Sequence, residues 1–174
     1  DFVVAHTSAD VPALITALIR GAFEYQGQKC SAASRAYIPD TLWPDVRDGM
    51  LAELSDLKVG DVADFGNFMG AVIDQGAFDN ITGYIELARS STDTKIIAGG
   101  EYDGAEGYMI QPTVVLTQDP RHRLMEEEIF GPVLTVYVYP AGEYEETLHL
   151  TDTTSPYGLT GAVFSQDRLA AQKA

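Results

Sequence analysis

"GPVLTVYVYP", residues 131–140, is nearly continuously apolar and rich in β-branched and aromatic residues. A half-exposed strand alternates apolar and polar side chains; this one does not, so it is expected to be a buried strand. Its neighbours in the chain are read against it. Upstream, "GYMIQPTVVL" (107–116) reads as another strand, in which Pro112 demands an edge or a bulge. "TKIIAGG" (94–100) reads as a strand closing on a glycine turn. Before it, Phe78, Ile81, Tyr84, Ile85 and Ala88 recur at helical spacing, which predicts a helix over 75–89 capped by Asp74.

The pattern continues toward the first residue. Leu42, Val46, Met50, Leu54 and Leu57 predict a helix over 42–57 with Thr41 as its cap, and "RAYIP" (35–39) a brief strand before it. Val11, Leu14, Ile15, Leu18, Ala22 and Phe23 predict a first helix, capped by Ser8 or Asp10, with Pro12 in its first turn and Gly27 as its stop. "DFVVAH" (1–6) is strand-like. Downstream of residue 140, a short helix is expected from about 143 to 152 and a strand in "LTGAVFS" (159–165). Helices and strands alternate, so the expected class is α/β: a sheet with packed helices. No internal repeat or low-complexity linker interrupts the order. Both ends are expected to be cut, because residue 1 already belongs to a strand and "RLAAQKA" (168–174) starts a helix that stops abruptly.

Composition narrows the function classes. The 174 residues suffice for one domain or a large piece of one, and no run approaches the roughly 18 apolar residues of a membrane span. Eleven basic residues against 26 acidic ones leave a formal charge of −15, which argues against nucleic acid and anionic lipid as partners. A single cysteine rules out an internal disulfide and a cysteine-rich zinc site, and points to a reducing compartment. His122 near "MEEE" (125–128) lacks the spacing of a metal-ligand set, so no metal site is expected. The glycines form neither dinucleotide nor mononucleotide phosphate cradle.

That cysteine, Cys30 in "FEYQGQKCSAASRAYIPD" (23–40), falls in the connection between the first helix and the "RAYIP" strand, where a side chain can be presented rather than packed. A nucleophilic cysteine requires a cation, a helix N-terminus or aligned backbone donors to favour the thiolate. Lys29 is adjacent, whereas His6, His122 and His149 show no local pairing with it. By residue type alone a lone cysteine is better explained as apolar filler than as a nucleophile. "MEEEIFGPVL" likewise reads as a charged turn before a core strand, although its stiff Phe-Gly-Pro corner can hold a carboxylate and an aromatic face toward a ligand.

Taken together, "GQKCSAASRAYIP" and, much later, "EEIFGPVL" resemble the aldehyde dehydrogenase superfamily. "FEYQGQKCSAASR", "LWPDV", "LKVGD", "FGNFMGAVID" and "EEIFGPVLTVYVYP", in that order, resemble the branch that acts on glutamate γ-semialdehyde. The resemblance implies an aldehyde-dehydrogenase catalytic-domain fragment: residues 1–174 make up most of the nucleophile-bearing domain, and the cofactor domain and a C-terminal segment lie outside them. It implies NAD as cofactor, a small-molecule aldehyde as substrate, and a homo-oligomeric parent enzyme in the cytoplasm, or in the mitochondrial matrix if eukaryotic.

Residue by residue, Cys30 matches the family nucleophile, which forms a thiohemiacetal and then a thioester with the substrate carbon. Glu128 matches the glutamate that binds the nicotinamide ribose, Phe130 the aromatic beside the nicotinamide, and Ser31 a hydroxyl that helps hold the substrate carboxylate. The general base and the oxyanion asparagine of the family are expected upstream of residue 1, so the fragment alone is expected to be inactive. Asp1 stands where the family commonly carries asparagine. Three alternatives stay open on the residues themselves: an aldehyde dehydrogenase for another aldehyde, a non-catalytic interaction domain, and a cysteine hydrolase.

Overall fold

The computed structural model describes residues 1–105 and 107–174. In chain order the elements are β1 (Phe2–Ala5), α1 (Val11–Phe23), a 3₁₀ turn (Glu24–Gly27), β2 (Arg35–Pro39), α2 (Trp43–Asp56) and α3 (Gln75–Ser90). There follow β3 (Thr94–Ala98), β4 (Tyr102–Asp103), β5 (Met109–Ile110), β6 (Thr113–Thr117), α4 (Arg123–Glu126), β7 (Val133–Tyr139), α5 (Tyr144–Thr154), β8 (Gly161–Phe164) and α6 (Arg168–Lys173). Six strands make one sheet in the order β3-β6-β7-β2-β1-β8, parallel throughout except for the antiparallel β3. The expected α/β sheet with packed helices is the observed one.

The 131–140 run becomes β7, between β6 and β2 near the middle of the sheet. Its residues divide between two apolar layers. Leu134 and Val136 join Val3, Ala5, Ala36 and Ile38 beneath α1 and α2. Val133 joins Val115 beneath α3, while Tyr139 packs with Val4, Tyr37 and Tyr144 beneath α5. Both faces are therefore covered, which is why the run carries no polar alternation. The helices form where they should: the Asp10 carboxylate accepts from Ala13 N–H at 2.9 Å and that of Asp74 from Ala77 N–H at 2.8 Å, each filling one of the vacant donors of a first turn.

Two expectations are corrected. The stretch 107–116 is two strands, not one. Proline has no N–H for a ladder, and the chain divides there: β5 pairs with β4 in a two-stranded ribbon, and β6 enters the main sheet after Pro112. Thr41 does not cap α2. The Leu42 N–H closes a turn onto the Pro39 carbonyl, so Leu42 takes the cap position, without a side-chain bond. Among the described residues no helix is long and apolar enough to cross a membrane.

The parallel register puts the starts of four strands on one rim: Phe2 lies beside Arg35 and Gly161, and Arg35 beside Thr135. The segments leading into β2 and β7 interlock there. Gly27 has φ +64°, and a Cβ on it would lie 2.4 Å from the Gly131 carbonyl oxygen and 2.7 Å from that of Ala22. Both obstacles are backbone, so they cannot rotate away. In the full-length protein that carries this chain, Gly27→Ala is expected to destabilise by roughly 1–3 kcal/mol in denaturant unfolding. Gly83→Ala, on an open face of α3 where a Cβ meets nothing within 4 Å, is expected to stabilise by about 0.5–1 kcal/mol.

Candidate active site

Cys30 sits on the rim just described. The Ala32 N–H donates to the Lys29 carbonyl at 3.0 Å, so Cys30 and Ser31 are the two central residues of a tight turn, and both are exposed. The sulfur is presented rather than packed, unlike most free cysteines. Lys29, the nearest cation in sequence, is engaged: its ammonium donates to Glu24 at 2.8 Å, and chiefly for that reason the Glu24 carboxyl is held below its ordinary value. Ser31 borders a shallow recess of about 150 Å³ together with Asp1, Phe2 and Thr160. The Asp1 carboxylate accepts the Thr160 N–H at 2.8 Å, a bond that an asparagine oxygen makes equally well.

Beside the segment that precedes the turn lies a cavity of about 580 Å³ whose walls include Tyr25, Gln26, Gln28, Asn80, Ile129 and Phe130, though neither Cys30 nor Glu128 lines it. Tyr25, Gln26 and Phe130 have φ of 57°, 59° and 54°, and these are the three non-glycine residues with positive φ among those described. Left-handed backbone costs such residues about 1–3 kcal/mol each and tends to gather at functional sites. Here all three border one cavity. Amide side chains hold the strained segments: Gln26 donates to the Ala71 carbonyl at 2.8 Å, Asn80 to that of Ile129 at 3.3 Å, and Gln28 to that of Phe130 at 3.4 Å.

The three successive acids at 126–128 have separate fates. Glu126 ends α4. Arg123 grips Glu127 with two parallel bonds of 2.9 and 2.8 Å, and the Tyr84 hydroxyl donates to it at 2.7 Å. These bonds hold the Glu127 carboxyl at about 2, Arg123 contributing most. Glu128 is exposed, and one of its oxygens accepts the Phe130 N–H at 3.1 Å, closing the corner on itself. Phe130 follows, 43% exposed, so its ring is available beside the cavity.

His6 and His122 are occupied elsewhere, and His149 is exposed on α5. His6 lies past the end of β1, at the opposite rim from Cys30, where Nδ1 meets the Ser8 hydroxyl at 2.9 Å. His122 caps α4 by accepting the Leu124 N–H at 3.2 Å. Tyr25, Gln26, Gln28 and Asn80 were not singled out from sequence. The only local sign of them is the pair of amides flanking a glycine in "YQGQ" (25–28).

The α/β sheet with packed helices is the class anticipated from the motifs, and comparison bears it out. Residues 1–174 match the aldehyde dehydrogenase family, and the chain belongs to that family. More particularly, it is 55% identical over 175 residues to the mitochondrial delta-1-pyrroline-5-carboxylate dehydrogenase of Danio rerio, covering 100% of this chain and 32% of the relative. The mitochondrial enzyme of that name from Homo sapiens is 53% identical, again over 100% of this chain and 31% of the relative. Among solved structures, the delta-pyrroline-5-carboxylate dehydrogenase of Mycobacterium tuberculosis bound with NAD superposes with a TM-score of 0.92 at 50% identity, over 99% of this chain and 31% of that one. The chain thus spans about a third of the length of the relatives it matches.

The Arg123–Glu127–Tyr84 cluster fixes a pH dependence. Glu127 is depressed from an ordinary 4.5 to about 2, so its contribution to stability is full above pH 4.5 and is lost as pH falls toward 2. Carboxyl-carbon NMR titration is expected to place Glu127 near the lower value in the native protein, and Arg123→Gln to move it back toward the upper one.

Proposed function

We propose that the full-length protein oxidises L-glutamate γ-semialdehyde, formed from 1-pyrroline-5-carboxylate, to L-glutamate with NAD, a step of proline catabolism. Residues 1–174 contribute most of the catalytic domain. The observation that carries this is a cysteine turn locked against the Glu128–Phe130 corner in a chain half identical to enzymes bearing that name. Cys30 holds the substrate carbon: its thiolate attacks the aldehyde, a C–S bond forms, and the carbonyl oxygen takes up charge. Backbone N–H groups of a tight turn suit that developing oxyanion. NAD, when bound, would accept the hydride that leaves the substrate carbon as the C=O re-forms, which turns the Cys30 adduct into a thioester. Water cleaves the thioester, the C–S bond breaks and glutamate leaves; the base for that water and the rest of the cofactor site belong to the longer enzyme.

The cavity suits the nicotinamide end of the cofactor. Its wall offers an aromatic face, amides and the Asp74 carboxylate but no lysine or arginine, so it fits a sugar and a flat ring better than a diphosphate. Glu128 keeps acceptor capacity beyond the Phe130 N–H and is proposed to take the ribose hydroxyls, with Phe130 packing beside the ring. Ser31, next to the nucleophile in the same turn, is proposed to bind the substrate carboxylate. The enzyme is proposed to be a homo-oligomer, in the mitochondrial matrix if eukaryotic.

Three outcomes are expected of the full-length protein. Cys30→Ala abolishes aldehyde oxidation, and iodoacetamide inactivation tracks alkylation of Cys30; an active alanine variant overturns the assignment. Glu128→Gln weakens NAD use by about 1.5–3 kcal/mol, read as kcat/KM for NAD. Ser31→Ala raises the KM for glutamate semialdehyde about tenfold or more and leaves a short uncharged aldehyde nearly unaffected. Equal effects on both aldehydes would make Ser31 a turn residue only.

A further inference from the structure

Gln28 stands two residues before Cys30 and reaches in two directions. Its Nε2 donates to the Phe130 carbonyl at 3.4 Å, while its Oε1 accepts the Ile73 N–H at 2.9 Å. The partners fix the orientation of the amide, since a carbonyl can only accept and a backbone N–H can only donate. One side chain therefore ties together three segments distant in sequence: the cysteine turn, the Glu128–Phe130 corner and the 71–74 segment leading into α3. The adjacent Gly27 is in backbone contact with Gly131, so Gln28 extends an existing lock toward the cavity. Asn80 holds the preceding carbonyl, that of Ile129, from α3. Successive carbonyls of the corner are thus gripped by two amides from two elements, although Phe130 is in a backbone state that an unsupported chain would leave.

We infer that Gln28 is a positioning residue: it holds the Phe130 corner in its left-handed state and so couples the nucleophile turn to the surface offered to the cofactor. The inference rests on the proposal that this corner receives the nicotinamide end of NAD. Neither a carboxylate nor an alkyl side chain can replace the amide. Glutamate keeps the acceptor for Ile73 N–H but turns an oxygen toward the Phe130 carbonyl, and leucine loses both bonds.

The test uses the full-length enzyme with NAD and the aldehyde as varied substrates. Gln28→Glu is expected to raise the KM for NAD about tenfold, the size of one lost hydrogen bond together with the freed corner, and Gln28→Leu, which loses both bonds, at least as much. The KM for the aldehyde should stay within about twofold. A merely structural role would lower Vmax through lost folded enzyme and leave the KM for NAD where it is. If the leucine variant fails to fold, the nearly isosteric Gln28→Glu carries the measurement, with thermal unfolding to confirm the native state. An unchanged KM for NAD in the folded variant overturns the inference. Glu128→Gln, measured beside it, separates the two failures. If Glu128→Gln raises the KM for NAD and Gln28→Glu does not, only the positioning role falls; if neither does, the assignment of the corner to the cofactor falls as well.

Discussion

The backbone contact of Gly27 with Gly131 is the constraint on which the rim of this sheet depends. Gly131 is enclosed on two sides: the Gly27 main chain meets its carbonyl, and a Cβ on Gly131 would lie 2.5 Å from the Ile81 side chain. The same carbonyl accepts the Val133 N–H at 2.8 Å, the first ladder residue of β7. The entry to that strand, the packing of α3 and the approach to the cysteine turn are therefore settled at one point. Because the contact is main chain to main chain, it leaves little freedom for rotamer adjustment. Cys30 and Phe130 are consequently held relative to each other by the fold, and side chains refine an arrangement that already exists.

Strain is concentrated where that contact ends. Tyr25 and Gln26 are left-handed immediately before Gly27, and Phe130 immediately before Gly131. Each departure is offset locally. Gln26 bonds across to Ala71, Glu128 bonds forward to the Phe130 N–H, and Gln28 and Asn80 hold two neighbouring carbonyls. The result is an aromatic ring turned outward instead of into the core. Tyr25, Val62 and Ile73 around the same cavity are also largely exposed. An apolar concavity bordered by hydrogen-bonded amides is the usual composition of a small-molecule site.

Much of this could be read from the sequence, and the exceptions have physical causes. The buried strand at 131–140 and the Asp74 cap are written in local pattern, and local pattern decided them; for α1 it left Ser8 and Asp10 open, and Asp10 takes the cap. Pro112 was legible as a disturbance but not as a division, because whether a chain bulges or breaks depends on which strands lie alongside. Thr41 failed as a cap because the turn from Pro39 moved the first helical residue by one position. Among the acids of "MEEE", sequence alone does not separate Glu127 from Glu128, and tertiary structure does: Arg123 and Tyr84 hold Glu127, while Glu128 is exposed. Gln26, Gln28 and Asn80 act on backbone carbonyls from remote segments, and a carbonyl leaves no mark in a sequence.

Open parallel sheets usually bind ligands beyond the carboxyl ends of their strands, yet the cysteine turn and the Phe130 corner precede β2 and β7. Helix starts occupy much of the carboxyl rim. The carboxyl ends of β1, β2 and β7 lead to Asp10, Asp40 and Glu143, with Glu145 and Glu146 close behind in α5. Asp10 caps a helix and Asp40 accepts the Ala141 N–H at 3.1 Å, so these acids are bound into the turns that start the helices and cannot readily be dispensed with. In a chain of net charge −15, the acids of that rim disfavour a thiolate placed there. The amino rim carries Lys29 and the buried Arg35, whose guanidinium lies 5.8 Å from the centre of the Phe2 ring. Its lead-in segments are free of helix caps, so they can be shaped by glycine contacts and amide braces instead. The acids that precede α1, α2 and α5 thus lie on one rim, while the cysteine turn, with Asp74 at the start of α3 close by, lies on the other.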